Sequence, residues 1–213
     1  MALCGPVGWG VARAAYPVVV LGSVLGAHVA LGAGVPAVAV VVGAFLAALV
    51  AASGLERALP FAPRERPARG EVVGDLAYLG LAAALQPVGK AAGALAGGVL
   101  AVALSRAALD AGALPTWVKV TLALLSADLA KYMIHRASHE SAWLFRFHAE
   151  HHAPDRLYAL NGVRLHPVNL LWNLAFDAAP VALFGLDAHA ATLLAVTRGA
   201  VAVLQHTDAD LRL

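Results

Sequence analysis

The chain has 213 residues, of which 61% are hydrophobic and 13% are charged, whereas soluble domains carry about 25% charged residues. Its mean hydropathy of +0.75 therefore indicates a membrane protein. The net charge of +2 is small, and no lysine-rich run or basic aromatic patch is present, which excludes a nucleic-acid partner. Cys4 is the only cysteine, which excludes disulfides and cysteine-based metal sites within one chain.

The first 55 residues predict a transmembrane hairpin. No charged side chain occurs between residues 14 and 55, which is enough for two spans of about 20 residues each. The run Gly32-Ala-Gly-Val-Pro36 predicts the break between them, and the absence of a cleavable signal pattern predicts that the hairpin is retained. Residues 56–71 then carry several arginines and prolines, and by the positive-inside rule we expect this loop in the cytoplasm.

The rest of the chain alternates apolar and polar stretches. Residues 76–86 predict an interfacial or partly buried helix, and residues 90–109 predict a third span that is rich in small residues. Residues 116–134 predict a fourth span, which follows an outer turn at residues 110–115. Two further apolar segments, residues 167–185 and 190–204, predict a shallow or a full hairpin.

These elements together predict an all-α, integral membrane helical bundle. It would contain at least four transmembrane helices, plus interfacial helices that carry a histidine cluster. The predicted division is an N-terminal hairpin, residues 1–55, and a second domain, residues 56–213. An even number of passes places both chain ends and the histidine cluster on the cytoplasmic side.

Two tight groups of histidines follow the fourth predicted span. His135 and His139 occur in HRASH, and His148, His151 and His152 occur in FHAEHH. Residues three or four apart share a helix face, so we expect the five imidazoles to converge. Imidazole suits zinc, copper, iron and nickel alike. Because one zinc ion takes three or four protein ligands, this cluster favours two metal ions, with two more histidines as further candidates, His166 and His206.

Two other polar residues lie on the same helical stripe as the first histidine pair. Asp128 precedes Tyr132, His135 and His139 by four, seven and eleven positions. A carboxylate beside an imidazole ligand accepts the second ring N–H and so fixes the tautomer. We therefore predict that Asp128 orients a histidine ligand and that Tyr132 is a hydrogen-bonding neighbour.

The stretch from Asp128 to Pro167 resembles the core of the fatty acid hydroxylase and sterol desaturase superfamily. Gln205 and His206 are similar to the stretch before the last histidine box of that family. The resemblance implies an integral membrane enzyme with two non-haem irons, which uses dioxygen and an electron donor protein to hydroxylate or desaturate a lipid C–H bond. The lipid would be a sterol, a fatty acyl chain or a related molecule. The features that match are Asp128, Tyr132, the HxxxH pair, the HxxHH trio, and Arg164 with His166-Pro167.

The resemblance also implies a ligand set. The five clustered histidines and His206 would bind metal, and His166 would be either a ligand or a structural partner of the turn at Pro167. The family pattern closes with a further HxxHH box, which does not occur before Leu213. We therefore expect a C-terminally truncated sequence, and a non-catalytic homologue with an incomplete site is the alternative. A haem-bearing electron-transfer protein is disfavoured, because only His28 lies deep in a predicted span.

Overall fold

The computed structural model describes residues 6–61, 69–106 and 113–211. It is 84% helical. The described residues contain no β-strand, only an isolated antiparallel bridge between Pro60 and Ala209. The predicted all-α class is therefore confirmed. Arg64 and Arg66 of the arginine-rich loop, and the beginning of the predicted turn at residues 110–115, lie outside the described residues.

Seven α-helices lie within the described ranges. A short 3-10 helix, Ala159–Val163, separates the fifth from the sixth. In chain order the α-helices are α1 (Pro6–Gly32), α2 (Ala37–Ala58), α3 (Arg69–Arg106), α4 (Thr116–Glu140), α5 (Ala142–His152), α6 (Pro167–Leu183) and α7 (Ala188–Gln205).

The turn between α1 and α2 lies where the sequence predicts it. Gly34 has a φ of +82°, in the left-handed region that glycine adopts without steric cost. The amide of Gly34 donates to the Leu31 carbonyl and that of Val35 to the Ala30 carbonyl, at 3.0 Å each. This pattern is a Schellman motif, which ends α1 by using carbonyls that the helix leaves unpaired. The predicted break between the first two spans therefore coincides with this turn.

Four helices in the described part of the chain are long and apolar enough to cross a membrane. They cover Gly10–Gly32, Ala37–Ala58, Gly70–Ser105 and Ala188–Gln205. The chain is therefore an integral membrane protein with at least four candidate spans, as predicted.

The positions of two predicted spans differ from the observed helices. Residues 76–86 and 90–109 do not form two elements, because α3 continues through Pro87 as one helix. The predicted span at residues 116–134 is helical within α4, but it is not among the four apolar helices. This segment differs from the four apolar helices in charge, because its apolar residues are interrupted by Lys119, Asp128 and Lys131.

The chain forms two compact units. The first contains Met1–Leu76, Pro154–Gly162 and Thr192–Leu213, and the second contains Ala77–Ala153 and Val163–Ala191. In the first unit, small side chains bring the helices close together, since alanines of α2 contact residues of α7 and of the 3-10 helix. This core contains Ala48, Ala52, Ala159, Ala200, Val203 and Leu204.

In the second unit, α3 contacts α6 through a stripe of glycines four residues apart. A Cβ atom at Gly93 would overlap the backbone of Ala175, and one at Gly97 would overlap the backbone of Ala179. Such spacing lets two helix backbones approach closely, as in the small-xxx-small motif of membrane helices. In the same unit, α4 packs against both α5 and α6, so the two histidine groups lie in one unit.

Candidate metal centre

A tight turn between α4 and α5 brings the two histidine groups face to face. The last turns of α4 carry His135 and His139, and Ser141 separates this helix from α5 in an extended conformation. The Ser141 side chain accepts a hydrogen bond from the Leu144 amide at 3.4 Å, and serine is a preferred N-cap residue. The chain therefore reverses within one residue, and α5 begins at once.

Four of the five clustered histidines form a group that suits one metal ion. One ring nitrogen from each of them lies within 4.8 Å of the others. The Nε2 atoms of His148 and His152 are 3.0 Å apart, the spacing of two nitrogens bound at right angles to one ion with bonds of about 2.1 Å. The donor set and its compactness therefore fit a metal. The group consists of His135, His139, His148 and His152.

His148 has its tautomer fixed by a buried amide. His148 is 3% exposed, and its Nδ1 lies 3.2 Å from Oδ1 of Asn169 in the first turn of α6. Because an amide oxygen can only accept, Nδ1 carries the proton and donates it. The lone pair of the imidazole is then at Nε2, the atom that faces His152.

Two histidines of the group have a lowered pKa, which favours the neutral form that binds metal. Burial lowers the pKa of His148 to about 4; its bond to Asn169 opposes this effect and the nearby histidines reinforce it. Burial also lowers the pKa of His135, together with the charges of His139 and His152. Since only unprotonated imidazole can bind a metal ion, these groups need not lose a proton near pH 7.

His151 lies at the edge of the group and is oriented by a different partner. Its ring centroid is 5.5 Å from that of His148 and 5.4 Å from that of His152. Its Nδ1 is 3.2 Å from the carbonyl oxygen of Arg164, so Nδ1–H donates and Nε2 keeps the lone pair. The predicted convergence is confirmed for four imidazoles, and the fifth is beside them.

The two additional candidate histidines each have a hydrogen-bond partner of their own. His166 is the N-cap of α6, where its Nδ1 accepts from the Val168 amide at 3.2 Å, and its ring contacts Phe147. A structural role at this turn is the alternative that the resemblance offered, and metal binding by His166 stays a prediction. His206 lies in the first unit, and its Nδ1 is 2.8 Å from the Ala202 carbonyl. A metal-binding role for His206 stays a prediction.

Asp128 and Tyr132 are both exposed on α4. Tyr132 hydrogen-bonds to the side chain of Arg136, one turn further along the helix. The predicted role of Asp128 in orienting a histidine stays a prediction.

The residues that orient His148 and His151 were not found from the sequence. Asn169 could have been found from the sequence, because an uncharged polar residue at the start of an apolar helix needs a buried hydrogen-bond partner. The contact between His151 and the Arg164 carbonyl could not have been found, since a backbone carbonyl is present at every position.

The fold and the site together define a helical integral membrane protein with a cluster of histidines that could hold a metal ion. In a comparison with known proteins, residues 120–213 match the fatty acid hydroxylase family. The predicted resemblance to this superfamily is thereby confirmed for that part of the chain, which includes all five clustered histidines.

One curated relative matches part of this chain. The ornithine lipid hydroxylase OlsE of Rhizobium tropici is 33% identical over 98 residues, which cover 46% of this chain. The chain spans about a third of the length of this relative, since the matched part is 30% of it. No solved structure matches.

Proposed function

We propose that this protein is a membrane-bound oxidoreductase that hydroxylates a C–H bond of a lipid at a non-haem iron centre. The observation that carries the proposal is the group of four imidazoles whose ring nitrogens lie within 4.8 Å of one another, inside the matched hydroxylase region. The hydroxylase activity in the name of the relative supports the reaction type.

In this proposal the four grouped histidines hold one iron ion. His151 is a candidate ligand of a second iron ion, and His206 stays a proposed metal ligand. Bound iron would supply the activation of dioxygen that cleavage of a C–H bond requires. The protein provides the rest: Asn169 and the Arg164 carbonyl keep lone pairs on Nε2 of His148 and His151. Desaturation, the other reaction that the resemblance implies, would use the same ligands.

The reaction also needs partners. One oxygen atom of dioxygen enters the lipid and the other leaves as water, so two electrons and two protons must be supplied in each cycle. We therefore propose an electron donor protein as a partner. For the substrate we propose a membrane lipid with an ornithine-containing head group, because that is the lipid in the name of the relative.

We further propose that both chain ends and the histidine group face the cytoplasm. Arg57 in the last turn of α2 supports this orientation, since basic residues are retained on that side. Cysteines introduced one at a time at Glu140 and Asp187 into a Cys4→Ser protein should react with a membrane-impermeant reagent from opposite sides. Labelling of Glu140→Cys from outside intact cells would contradict the orientation.

The iron proposal is tested by metal analysis of the purified protein. We expect iron in the wild type, and its loss when His148, His151 and His152 are all replaced by Ala. His189→Ala is the matched control, because His189 is an exposed histidine of α7 and should leave the iron content unchanged. In parallel, mass spectrometry of lipids from expressing cells should show one added oxygen atom per modified molecule.

Two outcomes would contradict these proposals separately. A wild-type protein without iron, or a triple variant with undiminished iron, would exclude the metal centre. Iron binding without any oxidised lipid would instead support the alternative of a non-catalytic homologue.

A further inference from the structure

Tyr78 of α3 is bonded to the helix that carries the second histidine group. Its hydroxyl donates a hydrogen bond of 2.6 Å to Oε1 of Glu150, 72 positions further along the chain. Glu150 directly precedes His151 on α5. The bond therefore fixes the helical turn from which the His151 side chain emerges.

The ring of Tyr78 has a second contact near the same histidine. The guanidinium carbon of Arg164 lies 5.8 Å from the ring centroid, within the range of a cation–π interaction. The backbone carbonyl of this same Arg164 is the group that accepts from Nδ1 of His151. Tyr78 thus contacts both the residue before His151 and the residue that holds the His151 ring.

We propose that Tyr78 is a positioning residue for His151. It holds the α5 turn and the Arg164 carbonyl at a fixed separation, so that His151 keeps its proton on Nδ1 and its lone pair on Nε2. The consequence for metal binding rests on the function proposed above, but the consequence for the tautomer does not. Tyr78 lies outside residues 120–213, so the region that matches the family does not contain this group.

The tautomer can be measured on the full chain without metal. In detergent micelles at neutral pH, with ¹⁵N-labelled histidine and the signal assigned through His151→Gln, we expect one tautomer of His151 in the wild type. Tyr78→Leu removes both contacts and should give a mixture of two tautomers. Tyr78→Phe keeps the ring over Arg164 and should give a smaller change.

Tyr16→Leu is the matched control, because Tyr16 is a half-buried tyrosine that packs in the core of the first unit. It should leave the His151 signal unchanged. The proposal is overturned if Tyr78→Leu leaves a single tautomer, or if Tyr16→Leu disturbs His151 to the same extent.

A cobalt(II) titration tests the consequence for metal binding. We expect Tyr78→Leu to weaken binding roughly 10-fold, the lower end of the range for residues that orient a metal ligand. In a His151→Ala background the same change should have no further effect. An equal loss in both backgrounds would mean general loosening and would overturn the proposal. A wild type that binds no cobalt would argue against the metal function, and the tautomer measurement would then decide the role of Tyr78 alone.

Discussion

A histidine that binds metal needs a lone pair on one ring nitrogen and a fixed ring orientation. In this protein the candidate ligands and the residues that orient them are different. The histidines supply the lone pairs, whereas Asn169 and the Arg164 carbonyl supply the direction. His148 depends most on its partner, because it is buried while His135, His139 and His152 are exposed. An exposed imidazole can bond to water when its partner is lost, but a buried one cannot.

Replacement of Asn169 by Ala should therefore weaken metal binding without removing any ligand. We expect a 10- to 100-fold loss of affinity, the usual effect when the partner of a metal-binding histidine is removed. The metal-free protein should lose about 1–3 kcal/mol of stability, because Nδ1–H of His148 becomes a buried donor without an acceptor. Metal titration and thermal unfolding in detergent measure the two effects.

The control for this change is Asn173→Ala, one helical turn further along α6 at a half-buried position. It should alter metal affinity far less than Asn169→Ala. Equal effects at the two positions would show that the loss reflects the packing of α6 and not the bond to His148.

At the scale of elements, close helix contact decides where α6 and its Asn169 lie. Gly89, Gly93 and Gly97 recur every four residues and so share one face of α3. The backbone of α6 lies against this face at Ala175 and Ala179, with no room for a Cβ atom. Membrane helices gain little from apolar burial against one another, so van der Waals contact of this kind is a main source of their association.

A large side chain on this face should separate the helices. We expect Gly93→Leu to destabilise the protein by at least about 1–3 kcal/mol, the usual cost of overpacking, because the atom that it meets is backbone and cannot rotate away. Thermal unfolding in detergent should show a lowered midpoint, and metal affinity should fall as α6 is displaced.

Gly98→Leu provides a control on the same helix. A Cβ atom at Gly98 meets nothing within 4 Å, so this change adds the same apolar side chain without a clash. An unfolding midpoint as low as that of Gly93→Leu would contradict the role of the glycine stripe.

At the scale of the whole molecule, the end of α2 holds segments that are far apart in sequence. Glu56 accepts hydrogen bonds from the Ala159 amide at 2.6 Å and from the Asp208 amide at 3.2 Å. The Asp210 amide donates to the Leu59 carbonyl at 2.8 Å. The N-terminal hairpin is thus part of the same compact unit as residues 154–162 and 192–213.

Loss of the Glu56 carboxylate should destabilise both segments that it contacts. We expect Glu56→Ala to cost about 1–3 kcal/mol, because two partly buried amides lose their acceptor. Glu56→Gln keeps one oxygen in place and should cost less. Thermal unfolding measures the stability, and limited proteolysis should show earlier cleavage near residues 159 and 208.

Glu140→Ala is the comparison for this change. Glu140 forms an exposed i, i+4 ion pair with Arg136, and such pairs contribute only about 0.3–0.5 kcal/mol. If Glu56→Ala were no more harmful than Glu140→Ala, the hydrogen bonds of Glu56 would not be holding the first unit together.

Sequence patterns were sufficient wherever the deciding interaction is local. Long apolar runs define α1 and α2, and Gly34 ends α1 because its left-handed φ suits glycine. The spacing of His135 and His139, and of His148 and His152, puts each pair on one helix face, so the sequence already predicted a metal site. The extent of α3 was not predicted, because residues 76–86 and 90–109 were assigned to two elements, yet one helix continues through Pro87.

The sequence by itself therefore determined the class of the protein: a helical membrane protein whose clustered imidazoles are candidate metal ligands. Only the tertiary structure decided which imidazoles share one site and which groups orient them. It selected four of the five clustered histidines, and it brought Asn169, Arg164 and Tyr78 to them from separate elements. The physical reason is that helix periodicity acts over a few residues, whereas a hydrogen bond between helices depends on how their surfaces pack, which no local pattern encodes.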